Sequence, residues 1–160
     1  MNRHCVQEVT NYIVWDCHEA GSYLTLPKLQ KLLYLAQARH LAIYGTPLFP
    51  GKFEAWLHGP VLRSVYNRFE KYGWKNIDEF VPRPMLPADI EKFLKGVLDE
   101  FAALDARQLE AITQRDEAWI AARQGAPDTV DCRWEGVVSE SLMRDYHRRL
   151  LNLEAEPARV

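Results

Sequence analysis

The segment from Thr25 to Gly45 constrains the fold of this chain more than any other. Its apolar residues follow the spacing of a helix, and further apolar residues fill the remaining sides. A helix that is apolar nearly all round is normally buried at the centre of a bundle. Thr25 is a suitable N-cap and Pro27 fits the first turn, whereas Gly45 and Pro47 end the helix. The segment therefore predicts a central helix around which the rest of the chain packs.

Five further segments have the apolar spacing of amphipathic helices. They cover residues 3–20, 60–72, 89–104, 105–124 and 138–153. Asp105 and Gln108 form a capping-box pattern at the start of one of these helices. In the last helix, the side chains predicted to face the core are Val138, Leu142, Tyr146 and Leu153.

A shorter period between residues 48 and 57 predicts an extended segment, because apolar and polar residues alternate there. Gly59 and Pro60 follow, and a proline at the first helical position predicts that the next helix begins there. The chain is thus predicted to be mainly α, a single compact helical domain of about six helices with a short extended or β element. The domain is expected to span residues 1–153, followed by a frayed tail at 154–160.

Composition narrows the class of protein. The chain has 160 residues, 20 basic and 22 acidic, with a net charge of −2. This length suits one domain, and the charge offers no global field that would attract phosphate backbones. No apolar run approaches the roughly 18 residues of a membrane span, and the first residues lack the pattern of a signal peptide. The sequence therefore predicts a cytoplasmic protein without membrane contact.

The arrangement of His4-Cys5 and Cys17-His18 resembles a metal-binding box at first sight. The residues between the two pairs form an amphipathic helix, which would separate the pairs by about 18 Å. Zinc holds its ligands at about 2.0–2.3 Å, so one ion cannot join the pairs. We therefore expect no metal, no disulfide and no cofactor, and we expect the cysteines to be reduced.

His58 has the most suggestive setting of the five histidines, at a corner between the extended segment and the predicted helix. One interpretation is a small enzyme or anion site centred on His58 and Glu54. The favoured one is that the imidazole locks the corner by hydrogen bonds while Trp56 packs on it. His40 lies on the inner face of the central helix and is predicted to be a core histidine. The sequence thus predicts no catalytic residue and no enzyme.

Basic residues interleave with aromatic ones along the predicted helix 60–72. Arg63, Arg68, Lys71 and Lys75 alternate there with tyrosine, phenylalanine and tryptophan. Such a mixture can hold single-stranded nucleic acid, so a nucleic-acid-binding regulator using this basic helix is the alternative function. Most of the aromatic residues fall on the inner face, which favours an ordinary solvated basic surface instead.

Two motifs carry a family resemblance. The first contributes Lys28, Leu29, Gln30, Lys31, Leu33, Tyr34 and Gln37. The second contributes Glu54, Trp56, His58, Gly59, Pro60 and Val61, and it is followed by Tyr66. In this order they resemble the Panacea domain family, which includes SocA-like antitoxins and phage-associated GepA-like proteins. The resemblance covers roughly residues 5–124.

A third, weaker element of the family usually reads Thr-His-x-Glu-x-Pro-Trp. In this chain Gln114, Asp116 and Ala118 replace the histidine, glutamate and proline, whereas Trp119 is retained. The resemblance therefore implies no role that depends on the histidine. The retained Trp119 implies that the packing of this element is kept.

The resemblance implies an antitoxin of a type II toxin–antitoxin system, which binds and neutralises a protein toxin from an adjacent gene. For the SocA-like branch it also implies an adaptor that delivers the toxin to a ClpXP-type protease. The residues after 88 include 15 acidic and 10 basic ones, and we hypothesise that they offer an acidic face to a basic toxin surface.

Overall fold

The central helix forms as the sequence predicts. In the computed structural model, which describes residues 4–128 and 133–153, this helix, α2, spans Leu26–Tyr44. The Thr25 hydroxyl accepts a hydrogen bond from the Lys28 backbone N–H, and Gly45 ends the helix with a φ of 77°. Of its 19 residues, 14 are buried, which confirms that α2 is the core of the bundle.

The remaining elements surround α2. In chain order they are α1 (Val6–Glu19), β1 (Phe53–Trp56), β2 (Gly59–Leu62), α3 (Arg63–Phe69), a 3-10 turn (Glu70–Tyr72), α4 (Ala88–Phe101), α5 (Ala106–Gln114), α6 (Glu117–Ala122) and α7 (Glu140–Leu150). α2 packs against α1, α3, α4, α5, α7 and β2. The described residues thus form seven helices and a two-stranded antiparallel sheet, which confirms the predicted mainly helical fold.

The predicted start of a helix at Gly59 and Pro60 is wrong. Both residues belong to β2, where Gly59 pairs with Trp56 and Pro60 with Ala55 across a two-residue turn. Gly59 has a φ of 136°, which side chains disfavour, and proline is tolerated at the start of a strand. The extended element is therefore a hairpin over residues 53–62, and α3 begins only at Arg63.

The predicted helix over residues 105–124 is two helices. Its start is confirmed, because the Asp105 carboxylate accepts from the Gln108 backbone N–H at 2.8 Å and the Gln108 amide accepts from the Asp105 backbone N–H at 2.9 Å. The helical conformation is interrupted at Asp116, whose φ and ψ are −71° and 121°. Its carboxylate accepts from the Ala118 backbone N–H at 2.8 Å, so Asp116 is the N-cap of a new helix, α6.

The last helix begins later than predicted and turns a different face inward. Residues 136–138 run beside β1, with the Ala55 N–H donating to the Gly136 carbonyl at 2.9 Å. Ser139 then caps α7. The core-facing side chains of α7 are Met143 and His147, whereas Leu142 is 42% exposed and Tyr146, with Leu153 beyond the helix, is half-buried. The predicted tail at 154–160 lies outside the described residues.

The two ends of α1 are tied to different parts of the fold. The His4 backbone N–H donates to the Leu48 carbonyl at 3.1 Å, whereas His18 Nε2 donates to the Ile77 carbonyl at 2.7 Å. Within the described residues, no three histidine, cysteine, aspartate or glutamate side chains are placed to share a metal ion. Residues 4–128 and 133–153 also contain no helix with the length and hydrophobicity needed to cross a membrane.

Cys5 and Cys17 are expected to differ strongly in reactivity. Cys17 is buried, and burial raises the pKa of its thiol to about 11, whereas Cys5 is exposed. At pH 8 only about one Cys17 in a thousand would be the reactive thiolate. We expect iodoacetamide to label Cys5 within minutes and Cys17 only after unfolding, as mapped by peptide mass spectrometry. Equal labelling of the native protein would show that α1 does not pack as described.

Candidate functional site

Two glutamines on α2 hold the backbone on both sides of the hairpin. Gln30 Nε2 donates to the Leu62 carbonyl at 3.0 Å, and Gln30 Oε1 accepts from the Leu62 N–H at 2.9 Å. Gln37 Nε2 donates to the Phe49 carbonyl at 2.8 Å, and its Oε1 accepts from the Leu48 N–H at 2.8 Å. Residues seven apart lie on the same helix face, so the two amides fix the hairpin against α2.

A buried carboxylate joins three helices. Asp116 Oδ2 accepts from the Tyr34 hydroxyl on α2 at 2.9 Å and from His147 Nε2 on α7 at 2.7 Å. Asp116 is 1% exposed, His147 3% and Tyr34 0%. Burial, and next the charge of Asp116, raise the pKa of Tyr34 well above its usual value. The trio is therefore a hydrogen-bonded part of the core that solvent does not reach.

The residues of the third family element contact the hairpin turn. Gln114 Nε2 donates to the Leu57 carbonyl and to Glu110 Oε2, each at 3.1 Å. Trp119 Nε1 donates to the Trp56 carbonyl at 3.0 Å. Gln114 and Trp119 thereby tie α5 and α6 to the hairpin, and the element still has a packing role.

Trp56 lies at the centre of an aromatic and cationic cluster. Its ring packs on Tyr66 with centroids 5.1 Å apart, and the guanidinium carbons of Arg63 and Arg133 lie 5.5 and 5.3 Å from the Trp56 centroid. Glu54 accepts from Trp56 Nε1 at 2.8 Å and from Arg63 at 2.9 Å. The cluster leaves Glu54 fully engaged, so Glu54 and His58 do not form the pair that the enzyme interpretation requires.

His58 projects from the tip of the hairpin turn. Its side chain is 61% exposed, and Nδ1 donates to Glu110 Oε2 on α5 at 3.0 Å. The aromatic partner of Trp56 is Tyr66, not His58. Of the predicted corner lock, only one exposed hydrogen bond with Glu110 is present, without the predicted packing of Trp56.

We expect His58→Ala to change stability little. Exposed ion pairs contribute at most about 1 kcal/mol to the free energy of unfolding. Thermal melting of His58→Ala beside the parent protein measures this difference. A loss of several kcal/mol would instead show that His58 does lock the corner.

Lys31 is buried beneath the hairpin turn. Its residue is 4% exposed, and Nζ donates to the Pro27 carbonyl at 3.4 Å. Burial lowers the pKa of Lys31, and the charge of Glu110 opposes this effect. A Cβ atom on Gly59 would lie 3.3 Å from Lys31 Cε, so the missing side chain of Gly59 allows the lysine to pass under the turn.

A groove of about 550 Å³ opens at this place, between the first turn of α2, the hairpin and the start of α5. Its apolar wall includes Leu26, Val61, Trp56, Tyr66 and Trp74. Its charged and polar groups include Lys31, His58, Glu70, Arg107, Glu110 and Arg133. Trp74 is 78% exposed, so a large aromatic surface faces solvent at this edge. The groove is the candidate site because it combines family-motif residues with accessible groups.

The other motif residues are buried beneath the groove. Leu29 and Leu33 are fully buried, and Pro60 is buried in β2. Lys28 is 7% exposed, and its Nζ donates to the Tyr23 carbonyl at 3.3 Å. The predicted site residues thus lie together on α2, the hairpin, α3 and α6.

Neither His147 of the buried trio nor Glu110 and Arg133 of the groove was identified from the sequence. His147 was missed because the inner face of α7 was predicted one residue too early; a stripe through Met143 and His147 would have found it. Glu110 and Arg133 are distant in the chain from the residues that they contact, and no local pattern marks them. His40 is hydrogen-bonded to a backbone carbonyl as predicted, with Nδ1 donating to the Thr46 carbonyl at 2.6 Å, but it is half-buried and not in the core.

Two of the four basic residues after the hairpin are paired with carboxylates. Arg63 pairs with Glu54 at 2.9 Å, and Arg68 pairs with Glu79 at 2.8 Å. Lys71 and Lys75 are exposed. The expected helix 60–72 is also shorter, because its first residues belong to β2. These findings weigh against a nucleic-acid interface on this helix.

Comparison with known proteins agrees with the motifs. The profile of the family "Antitoxin SocA-like, Panacea domain" matches residues 29–120, more than half of the chain. The chain is 36% identical over 97 residues to antitoxin SocA of Caulobacter vibrioides, a match that covers 53% of this chain and 52% of that protein. The chain thus matches about half the length of this curated relative. No solved structure matches it. On the strength of the family profile, the chain belongs to the SocA-like antitoxin family and carries its Panacea domain.

Proposed function

We propose that this protein is the antitoxin of a type II toxin–antitoxin system and neutralises a protein toxin by direct binding. The observation that carries the proposal is the family match over residues 29–120, together with the similarity to a relative named antitoxin SocA. The groove beside the hairpin supports it, because accessible aromatic and arginine side chains are enriched at the energetically dominant positions of protein interfaces.

The proposed action is binding without catalysis. Tyr34, Asp116 and His147, the buried hydrogen-bonded trio, are at most 3% exposed, so a substrate cannot reach them. His58 is accessible, but Glu110 is its partner and Glu54 is engaged by Trp56 and Arg63. This arrangement suits a scaffold, and the proposal needs no cofactor.

The proposed partner is a toxin encoded by an adjacent gene and acting in the cytoplasm. Inducible expression of the neighbouring gene product, alone and together with this protein, tests the proposal. We expect growth arrest in the first case, growth in the second, and a stable complex by size-exclusion chromatography. A neighbouring product that is harmless alone, or that stays toxic beside this protein, contradicts it.

We further propose that the protein delivers its toxin to a ClpXP-type protease. The support is the membership in the SocA-like family. The toxin half-life, measured after synthesis is stopped, is expected to be short only when both this protein and ClpX are present. A half-life that does not depend on ClpX would leave blockade by binding as the mode of neutralisation.

A further inference from the structure

Within the described residues, no ion pair joins the three cations of the groove to a carboxylate, although the charge of Glu110 acts on Lys31. Lys31 Nζ donates to the Pro27 carbonyl at 3.4 Å. An ammonium group has three N–H donors, so it can form further hydrogen bonds. Arg133 contacts the rings of Trp56 and Tyr66 and donates to the Tyr66 hydroxyl at 3.4 Å. Arg107 is exposed and lines the same groove. Arg107 and Arg133 therefore present positive charge in the groove that no ion pair of the described residues engages.

The negative groups of the groove do not cancel this charge. Two carboxylates line it, Glu70 and Glu110, against the three cations Lys31, Arg107 and Arg133, so the lining keeps an excess of positive charge. Elsewhere the chain is acidic overall, with a net charge of −2. The groove is thus a local cationic site on an acidic protein, which gives it electrostatic complementarity to an acidic partner.

The apolar wall specifies what the partner must carry beside its negative charge. Trp74 presents most of its indole to solvent at one edge, and Val61 is half-buried in the groove. Packing an apolar side chain against Trp74 would remove this aromatic surface from water. A ligand that fits both properties is a peptide segment in which an apolar residue stands next to carboxylates.

A single-stranded nucleic acid fits the groove less well. Its phosphate chain would approach Glu70 and Glu110, and the whole chain offers no positive field. Of the two tryptophans in the groove, Trp56 is already covered by Tyr66 and by the guanidinium of Arg133, which leaves Trp74 as the tryptophan on which a base could stack. The groove therefore favours a ligand with few, localised negative charges.

The hypothesis of an acidic face after residue 88 has less support. Several of those carboxylates have partners within the chain: Glu91 pairs with Arg83 and Glu100 pairs with Arg39. Asp116 is buried against His147. These groups are less available to a partner than the cations of the groove.

We propose that the groove between α2, the hairpin and α5 receives an acidic segment of the partner protein, with an apolar side chain against Trp74 and carboxylates at the exposed Arg107 and Arg133. The identity of this partner as a toxin rests on the proposed antitoxin function. The chemistry of the groove does not, and it can be tested separately.

The first test uses a short synthetic peptide with a central leucine and phenylalanine flanked by glutamates, and a second peptide with lysines in place of the glutamates. Titration of the full-length protein is followed by the NMR signal of the Trp74 indole N–H. We expect a saturable shift with the glutamate peptide and none with the lysine peptide. Equal binding of both peptides, shifts confined to residues outside the groove, or equal competition by a thymidine oligonucleotide would overturn the proposal.

Matched variants show whether the groove residues are responsible. Arg107→Glu combined with Arg133→Glu is expected to weaken binding of the glutamate peptide at least about tenfold, and Trp74→Ala to weaken it similarly. Lys92→Glu and Phe80→Ala are the controls, because both residues are exposed and neither lines the groove. All of these side chains are exposed, so we expect each variant to fold, which circular dichroism checks. Equal losses in the groove variants and the controls contradict the proposal.

The same variants, tested with the toxin, separate the two proposals. A toxin complex that forms equally well with the groove variants contradicts the proposed role of the groove and remains consistent with the antitoxin function. Binding of the glutamate peptide in the groove, without any complex with the neighbouring gene product, supports the groove and contradicts the antitoxin function.

Discussion

A protein carrying Asp116→Ala is expected to lose about 3–5 kcal/mol of its free energy of unfolding. The substitution removes the acceptor that the Tyr34 hydroxyl and His147 Nε2 share, and it removes the N-cap of α6. Both donors would remain buried without a partner, and each such group costs about 1–3 kcal/mol. Since domains of this size are stable by only about 5–15 kcal/mol, urea or thermal unfolding should show a large decrease.

The neighbouring residue provides a control. Glu117 is 64% exposed at its side chain and pairs with Arg149, so Glu117→Ala should cost less than about 1 kcal/mol. Asp116→Asn keeps one acceptor oxygen and should lose less stability than Asp116→Ala. Similar melting of Asp116→Ala and Glu117→Ala would show that the carboxylate does not join α2, α6 and α7.

Leu33→Asp is expected to prevent folding. Leu33 is 0% exposed in α2, and the substitution combines the loss of a packed leucine, about 2–5 kcal/mol, with a buried unpaired carboxylate. The sum approaches or exceeds the whole stability of such a domain. Circular dichroism and the soluble yield measure the effect.

Lys75→Glu is the corresponding charge substitution at the surface, where Lys75 is exposed. We expect it to melt within about 0.5 kcal/mol of the parent protein. Comparable solubility and melting of Leu33→Asp and Lys75→Glu would mean that the inside of the bundle has been misassigned.

The elements that the sequence predicted well are those defined by local chemistry. Thr25 caps α2, Gly45 ends it, and the pair of Asp105 and Gln108 closes a capping box at α5. Each of these signals acts within one turn of helix, where the interacting residues are near neighbours in the sequence. Sequence patterns therefore gave the central helix and several helix ends within a few residues.

The errors occurred where a distant contact decides between two local possibilities. Pro60 suits both the first turn of a helix and the start of a strand, and pairing with β1 selects the strand. Asp116 could continue a helix or cap a new one, and its bonds to Tyr34 and His147 lie 82 and 31 residues away. Local propensity contains no information about such partners.

The candidate site was predictable only in part. Its motif residues Lys31, Trp56 and His58 were identified from the resemblance, but the cations Arg107 and Arg133 were not. These two come from separate parts of the chain and reach the groove through the packing of α5 and of the segment before α7. A surface assembled from distant segments leaves no periodic signature in the sequence.

The amides of Gln30 and Gln37 form hydrogen bonds with peptide groups, at Leu48 and Phe49 before the hairpin and at Leu62 in β2. Such bonds do not depend on which side chains stand at those positions. Neighbouring surface residues of the hairpin can therefore mutate without loosening its attachment to α2. A platform anchored in this way lets natural selection change what the surface recognises while the architecture beneath it stays intact.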